Sequence, residues 1–146
     1  MNIYDLLKQD HQEVSSLMEE VSKTGDNAEK TRATKFAQIK EKLSVHSETE
    51  DQVFYSVLAE HDETRDIILE GREEHALVTR LMEELSQMAP DSEDWTAKFK
   101  VFMENVEHHV EEEEGEMFQK ARKVLSDDEA RRIGEQFQDQ KQAMLA

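Results

Sequence analysis

A histidine followed four residues later by a glutamate, and then by a second acid, occurs twice in this 146-residue chain, as HSETED from His46 and as HVEEEE from His109. Each phrase closes on an apolar or aromatic pair, Phe54 with Tyr55 and Met117 with Phe118. Imidazole nitrogen suits iron, zinc, copper and nickel, and a carboxylate can bridge two cations. On a helix, residues four apart share a face, so each phrase presents a nitrogen and an oxygen together. Neither phrase interrupts the apolar spacing around it. His46 and Glu50 continue the series Phe36, Ile39, Leu43, Val53, Val57, and His109 and Glu113 continue Trp95, Phe99, Phe102, Val106, Met117. His11 falls between Leu7 and Val14, and His75 falls in the series Ile68, Gly71, Val78, Met82. Six titratable side chains are therefore expected to face one apolar interior.

Such a set is expensive to bury. Unpaired ions cost several kcal/mol each, against a fold stability of only ~5–15 kcal/mol. No lysine or arginine occupies these stripes at that level, so internal ion pairs are a poor answer and metal ions a good one. Four nitrogens with two bridging carboxylates supply four protein donors to each of two metals. A sulfur-free set with vacant positions argues against structural zinc. Singly, each His-Glu pair could be a surface pair. Shared depth argues otherwise: Glu50 and His75 stand at similar distances from the break near His61 to Thr64, and His75 and His109 at similar distances from the break at Ala89 to Asp94. His11 aligns less well by this count.

The elements that must position these residues are helices. Breaks at Thr24 to Asn27, His61 to Thr64, Ala89 to Asp94 and Ser126 to Asp128 leave four long amphipathic segments, 2–23, 28–60, 65–88 and 94–124, and a short fifth. Ser92 is placed to cap the fourth helix, and Ser126 with Glu129 forms a capping box for the fifth. The expectation is an all-α, antiparallel up-down-up-down four-helix bundle over residues 2–124, with a short C-terminal helix over 127–144 lying across it. Residues 1–146 are expected to form one domain.

Composition narrows the function classes. A net charge of −17 disfavours nucleic acid and anionic membranes, which need clustered Lys and Arg. No stretch has the length of a membrane span or the build of a signal peptide, and the absence of cysteine removes disulfides and thiolate sites. The default location is the cytoplasm.

The phrases DH at Asp10 and His11, HSETED from His46, EEH ending at His75 and HHVEEEE from His108 resemble, in order and spacing, the motifs of the haemerythrin-like proteins with the HHE cation-binding domain. The resemblance spans roughly residues 5 to 120. It implies a four-helix bundle holding a non-haem di-iron centre, two iron ions bridged by Glu50 and Glu113 and by an oxo or hydroxo group, with His11, His46, His75 and His109 as terminal ligands. Oxygen carriers of that family have His-x-x-x-His on the third helix, whereas Thr79 stands four residues after His75 here. That departure speaks against simple oxygen carriage and leaves a position open. Ferritin-like di-iron bundles use Glu-x-x-His pairs, and no histidine here has a glutamate three residues before it.

The implied function is binding or sensing of dioxygen or a related small oxidant, peroxide or nitric oxide. Iron buffering and a peroxide-reducing enzyme are the alternatives, and a metal-free interaction bundle in which the histidines titrate is a third class. His108 and His61 are expected at the surface, and Glu111, Glu112, Glu114 and Glu116 on a solvated acidic face. Asp51 and Glu114 are placed to accept from ligand N–H groups as well. Tyr55 is expected to serve packing before chemistry.

Overall fold

The computed structural model describes residues 1–145, and all regular structure among them is helical. Helix α1 (Ile3–Ser22) packs along α2 (Glu29–Glu50). The rod of α2 continues through a wider π-helical turn, π1 (Asp51–Tyr55), into α3 (Ser56–Leu58). Helix α4 (Asp62–Ser86) runs back beside α5 (Glu93–Glu112), whose rod likewise continues through π2 (Glu113–Met117) into α6 (Phe118–Val124). Four rods thus form the expected antiparallel bundle. The closing helix α7 (Asp127–Leu145) is 19 residues long and lies along α1 and α2.

Local chemistry sets the ends of these rods. The Ser92 hydroxyl accepts from the Trp95 N–H at 3.1 Å, and Ser126 and Glu129 satisfy each other's backbone N–H groups at 3.1 and 3.0 Å. Asn2, which carries no such expectation, caps α1 by accepting from the Asp5 N–H at 3.0 Å. The break before α4 comes earlier than the sequence suggests. Thr64 is fully buried in the first turn of α4, where its hydroxyl donates to the Leu58 carbonyl at 2.5 Å and folds the connection back. At the other end of the bundle, the buried Arg32 guanidinium donates to Thr24 Oγ1, the Thr24 carbonyl, the Pro90 carbonyl and Thr96 Oγ1 at 2.8 to 3.2 Å. Two loops from opposite halves of the chain are thereby tied together.

The interior is divided into two apolar layers. One gathers Leu7, Phe54, Leu58, Ile68, Phe118 and Phe137, and the other Val14, Met18, Ile39, Leu43, Val78 and Phe102. Along each rod the candidate donors fall between the two layers: His11 between Leu7 and Val14, His75 between Ile68 and Val78.

The π turns change which residues face inward. An i→i+5 turn inserts one residue per turn, so the face that ends at Glu50 continues at Phe54, Tyr55 and Leu58, each fully buried. The straight-helix spacing expects Val53 and Val57; Val53 is buried at the edge and Val57 only in part. The same shift after Glu113 brings Phe118 in beside Met117.

Candidate metal centre

Between the two layers, six side chains converge. Glu50 and Glu113 are fully buried, His46 is 4% exposed, and His11 and His109 are 7% exposed. His75 is the most open, with 13% of its side chain reached by solvent. The donor atoms fall into two overlapping groups: His11, His46, Glu50 and Glu113, and Glu50, His75, His109 and Glu113, the atoms of each lying within 4.8 Å of one another. Both groups contain both glutamates. The Nε2 atoms of His11 and His109 stand 3.2 and 3.3 Å from Glu113 oxygens, and those of His75 and His46 stand 3.2 and 3.7 Å from Glu50 Oε1.

The far sides of the rings explain this orientation. A carboxylate accepts but does not donate, so a ring nitrogen bonded to one carries the proton. His11 Nδ1 donates to Glu114 at 2.6 Å, His46 Nδ1 to Asp10 at 2.8 Å and His109 Nδ1 to Glu74 at 2.6 Å. Each ring is thereby turned with Nε2 toward the glutamates, the arrangement by which proteins orient metal-binding imidazoles. His75 is held differently, by stacking on Tyr55 with centroids 5.1 Å apart and planes 7° from parallel.

Several of these partners are not evident from sequence. Tyr55 serves more than packing: its hydroxyl donates to Glu113 Oε2 at 2.5 Å and stands 3.3 Å from His109 Nε2. The π1 turn aims it there, and no apolar spacing signals such a turn. Glu74 lies off the α4 stripe. Lys141, from α7, bonds the second oxygen of Asp10, so a cation does reach this level, from the closing helix. Of the two acids expected beside the site, Glu114 accepts from His11, whereas Asp51 is taken by Arg72 at 2.7 Å. The side chain of His108 is 66% exposed, beside Glu112 at 3.3 Å, and Glu111 and Glu116 are exposed. His61 stands at the N-cap of α4 and makes no capping bond with its side chain.

The electrostatics are those of carboxyls and imidazoles buried against one another. Burial, reinforced by the neighbouring Glu113 charge, raises the Glu50 carboxyl well above the carboxylate range. Burial also opposes ionisation of Glu113, but the neighbouring His109 and His11 imidazoles outweigh it and hold that carboxyl well below the range. Burial lowers His46, and lowers His75 to about 3. For His109, burial is overcome by the carboxylates of Glu113 and Glu74, which push it up to about 9; Glu113 and Glu114 raise His11 in the same way. Both oxygens of Glu50 and Oε1 of Glu113 are buried without a hydrogen bond. Buried polar atoms are rarely left so, and among the described residues all such side-chain atoms but the Tyr4 hydroxyl belong to the two glutamates common to both groups. The donor set fits a pair of cations.

Beside His75, a groove of about 490 Å³ between α2 and α4 is lined by Ser44, Ser47, Asp51, Arg72 and Thr79. Thr79 itself is exposed.

An antiparallel helical bundle with histidines and shared glutamates between its apolar layers is the architecture of a cation-binding bundle. Residues 2–121 match the family profile of the hemerythrin HHE cation binding domain, and the chain belongs to that family. Its fold is similar to the crystal structure of a hemerythrin HHE cation binding domain-containing protein from Mycobacterium kansasii, with a TM-score of 0.85 over 98% of this chain and 86% of that one, at 24% identity. A relative named DNA nickase, from a Nostoc species, is 28% identical over 141 residues; the match takes in 94% of this chain and 38% of that protein's length. Among the described residues no helix is long and apolar enough to cross a membrane.

Proposed function

We propose that this protein holds a non-haem pair of iron ions through His11, His46, His75, His109, Glu50 and Glu113, and uses it to bind or sense dioxygen or a related small oxidant, peroxide or nitric oxide. The observation that carries the reading is the sharing of both buried glutamates between two pairs of imidazoles, with three of their four oxygens unpartnered. Bound there, iron supplies Lewis acidity and one-electron redox change. The chain supplies the rest. Glu114, Asp10 and Glu74 fix three rings in the tautomer that leaves Nε2 free, and the stacked Tyr55 fixes the fourth. The two apolar layers keep water from the set on both sides. The Tyr55 hydroxyl, beside His109 and Glu113, supplies a hydrogen-bond donor on the His75 side, where the family's oxygen carriers have an additional histidine and this chain has Thr79. The groove beside His75 is the way in for a small ligand.

Burial, with the charges of Glu113 and Glu50, raises Tyr55 well above its ordinary value, so its phenol keeps its proton and serves the site as a hydrogen-bond donor. Iron buffering is the second reading, supported by the raised Glu50 carboxyl, because a fold that buries such charge gains stability from occupancy. Nicking of DNA is not carried over from the Nostoc relative, since this chain matches only 38% of that protein and its net charge of −17 opposes phosphate contact. The test is an ultraviolet-visible spectrum of the anaerobically iron-loaded protein before and after dioxygen, peroxide or nitric oxide. A new ligand-dependent band that is absent from the His109→Ala variant is expected; no spectral response to any of the three sinks the reading.

A further inference from the structure

Helix α7 lies beyond the residues that match the family profile, which end at 121. It nevertheless touches the donor set or residues directly beside it through three side chains. The Lys141 ammonium bonds Asp10 Oδ1, while Asp10 Oδ2 accepts from His46 Nδ1 at 2.8 Å, so both oxygens of one buried carboxylate are committed, one to α7 and one to a candidate ligand. Phe137 packs its ring edge-on to the His46 ring, with centroids 6.0 Å apart. One turn along, the buried Thr49 hydroxyl, next to Glu50, donates to Met144 Sδ at 3.3 Å. Among the described residues, Glu74 and Glu114, the carboxylates behind His109 and His11, have no Lys or Arg partner.

We infer that Lys141 is a positioning residue for the metal pair: acting through Asp10, it holds the His46 ring and makes the His11–His46 side electronically unlike the His75–His109 side. The inference rests on the two-metal reading above. Its physical basis is charge. A cation behind a carboxylate withdraws negative charge from it and weakens it as an acceptor. Asp10 then pulls less on the His46 N–H than Glu114 and Glu74 pull on theirs, and His46 is the poorer donor. Lys141 should therefore shift the His11–His46 side toward the reduced ion relative to what an unpaired Asp10 would give it, and α7 acts as an element that sets the poise of the pair.

The experiment is a spectroelectrochemical titration of the iron-loaded full-length protein, with iron per chain measured on the same samples. Wild type is compared with Lys141→Met, which keeps the stem and removes the charge, Lys141→Arg, which keeps the charge, Asp10→Asn, and the double variant Lys141→Met with Asp10→Asn. Lys141→Met is expected to lower the midpoint of one of two redox transitions while iron content stays at the wild-type value, and Lys141→Arg to restore it. In the Asp10→Asn background the Lys141 change is expected to have no further effect, because the path through the carboxylate is already cut. Unchanged midpoints in Lys141→Met at full iron content overturn the inference and leave the metal centre standing. An equal shift with and without Asp10 also overturns it. Wild-type protein that takes up no more than one iron per chain overturns the two-metal reading, and this inference with it.

Discussion

The Tyr55 hydroxyl donates to Glu113 Oε2 from inside the donor set. Replacing it by phenylalanine leaves a buried carboxylate one donor short, and the metal-free protein is expected to lose about 1–3 kcal/mol in urea unfolding. Equal stability of wild type and Tyr55→Phe would show the bond to be idle. The histidines set the pH dependence. His109 is raised to about 9 in the fold, so its contribution is complete below its ordinary value of about 6.5 and is lost as pH rises through about 9. His75 is lowered to about 3, so the unfolded chain takes up its proton first and stability falls as pH drops from about 6.5 toward 3. Denaturation of the metal-free protein at stepped pH should show stability falling on both sides of neutrality, and His109→Gln should flatten the alkaline side only. The convergence of the six side chains was legible because they sit where apolar residues were due. Tyr55, Glu74 and Lys141 were not, since each arrives by a route that spacing does not encode: a π turn, an off-stripe position, and a helix 131 residues away in sequence from the acid it meets.

At the scale of elements, the two π turns are the pieces that straight-helix periodicity misses. One follows Glu50 directly and the other begins at Glu113, and each leaves its backbone turned so that two successive side chains point inward. The number of rods and the caps at Ser92 and at Ser126 with Glu129 were legible because those residues carry local hydrogen-bonding logic, whereas the Asn2 cap and the early start of α4 were not. The lock at Arg32 separates fold from site. Arg32→Met keeps the stem and removes bonds to Thr24, Pro90 and Thr96, so unfolding should become easier by about 2–4 kcal/mol while iron content is unchanged. Loss of iron in that variant at native temperature would mean that the loop end and the centre are not independent. Gly134 marks the docking of α7 on the N-terminus: a Cβ there would meet the Met1 carbonyl oxygen at 2.7 Å, and backbone cannot give way as a side chain does. Gly134→Ala should lower the melting temperature and raise hydrogen exchange in α7 ahead of the rest of the bundle. Uniform exchange across all helices would contradict the assignment of the clash to that contact.

Across the whole molecule, a chain of net charge −17 closes around two buried glutamates and four imidazoles, and its stability must depend on what neutralises them. A ligand held at a thousand times its dissociation constant adds about 4 kcal/mol to a fold. Stripping metal with a chelator should therefore lower the melting temperature by several degrees, and added salt should recover only part of the loss. An unchanged melting temperature would show that occupancy does not govern the fold. The measurement closest to the central claim is native mass spectrometry after iron loading and desalting. Two ions per chain are expected in wild type, falling to one or none when Glu50 and Glu113 are both changed to Gln. A wild-type chain that carries a single ion, or a double variant that still carries two, would contradict the shared-glutamate pair.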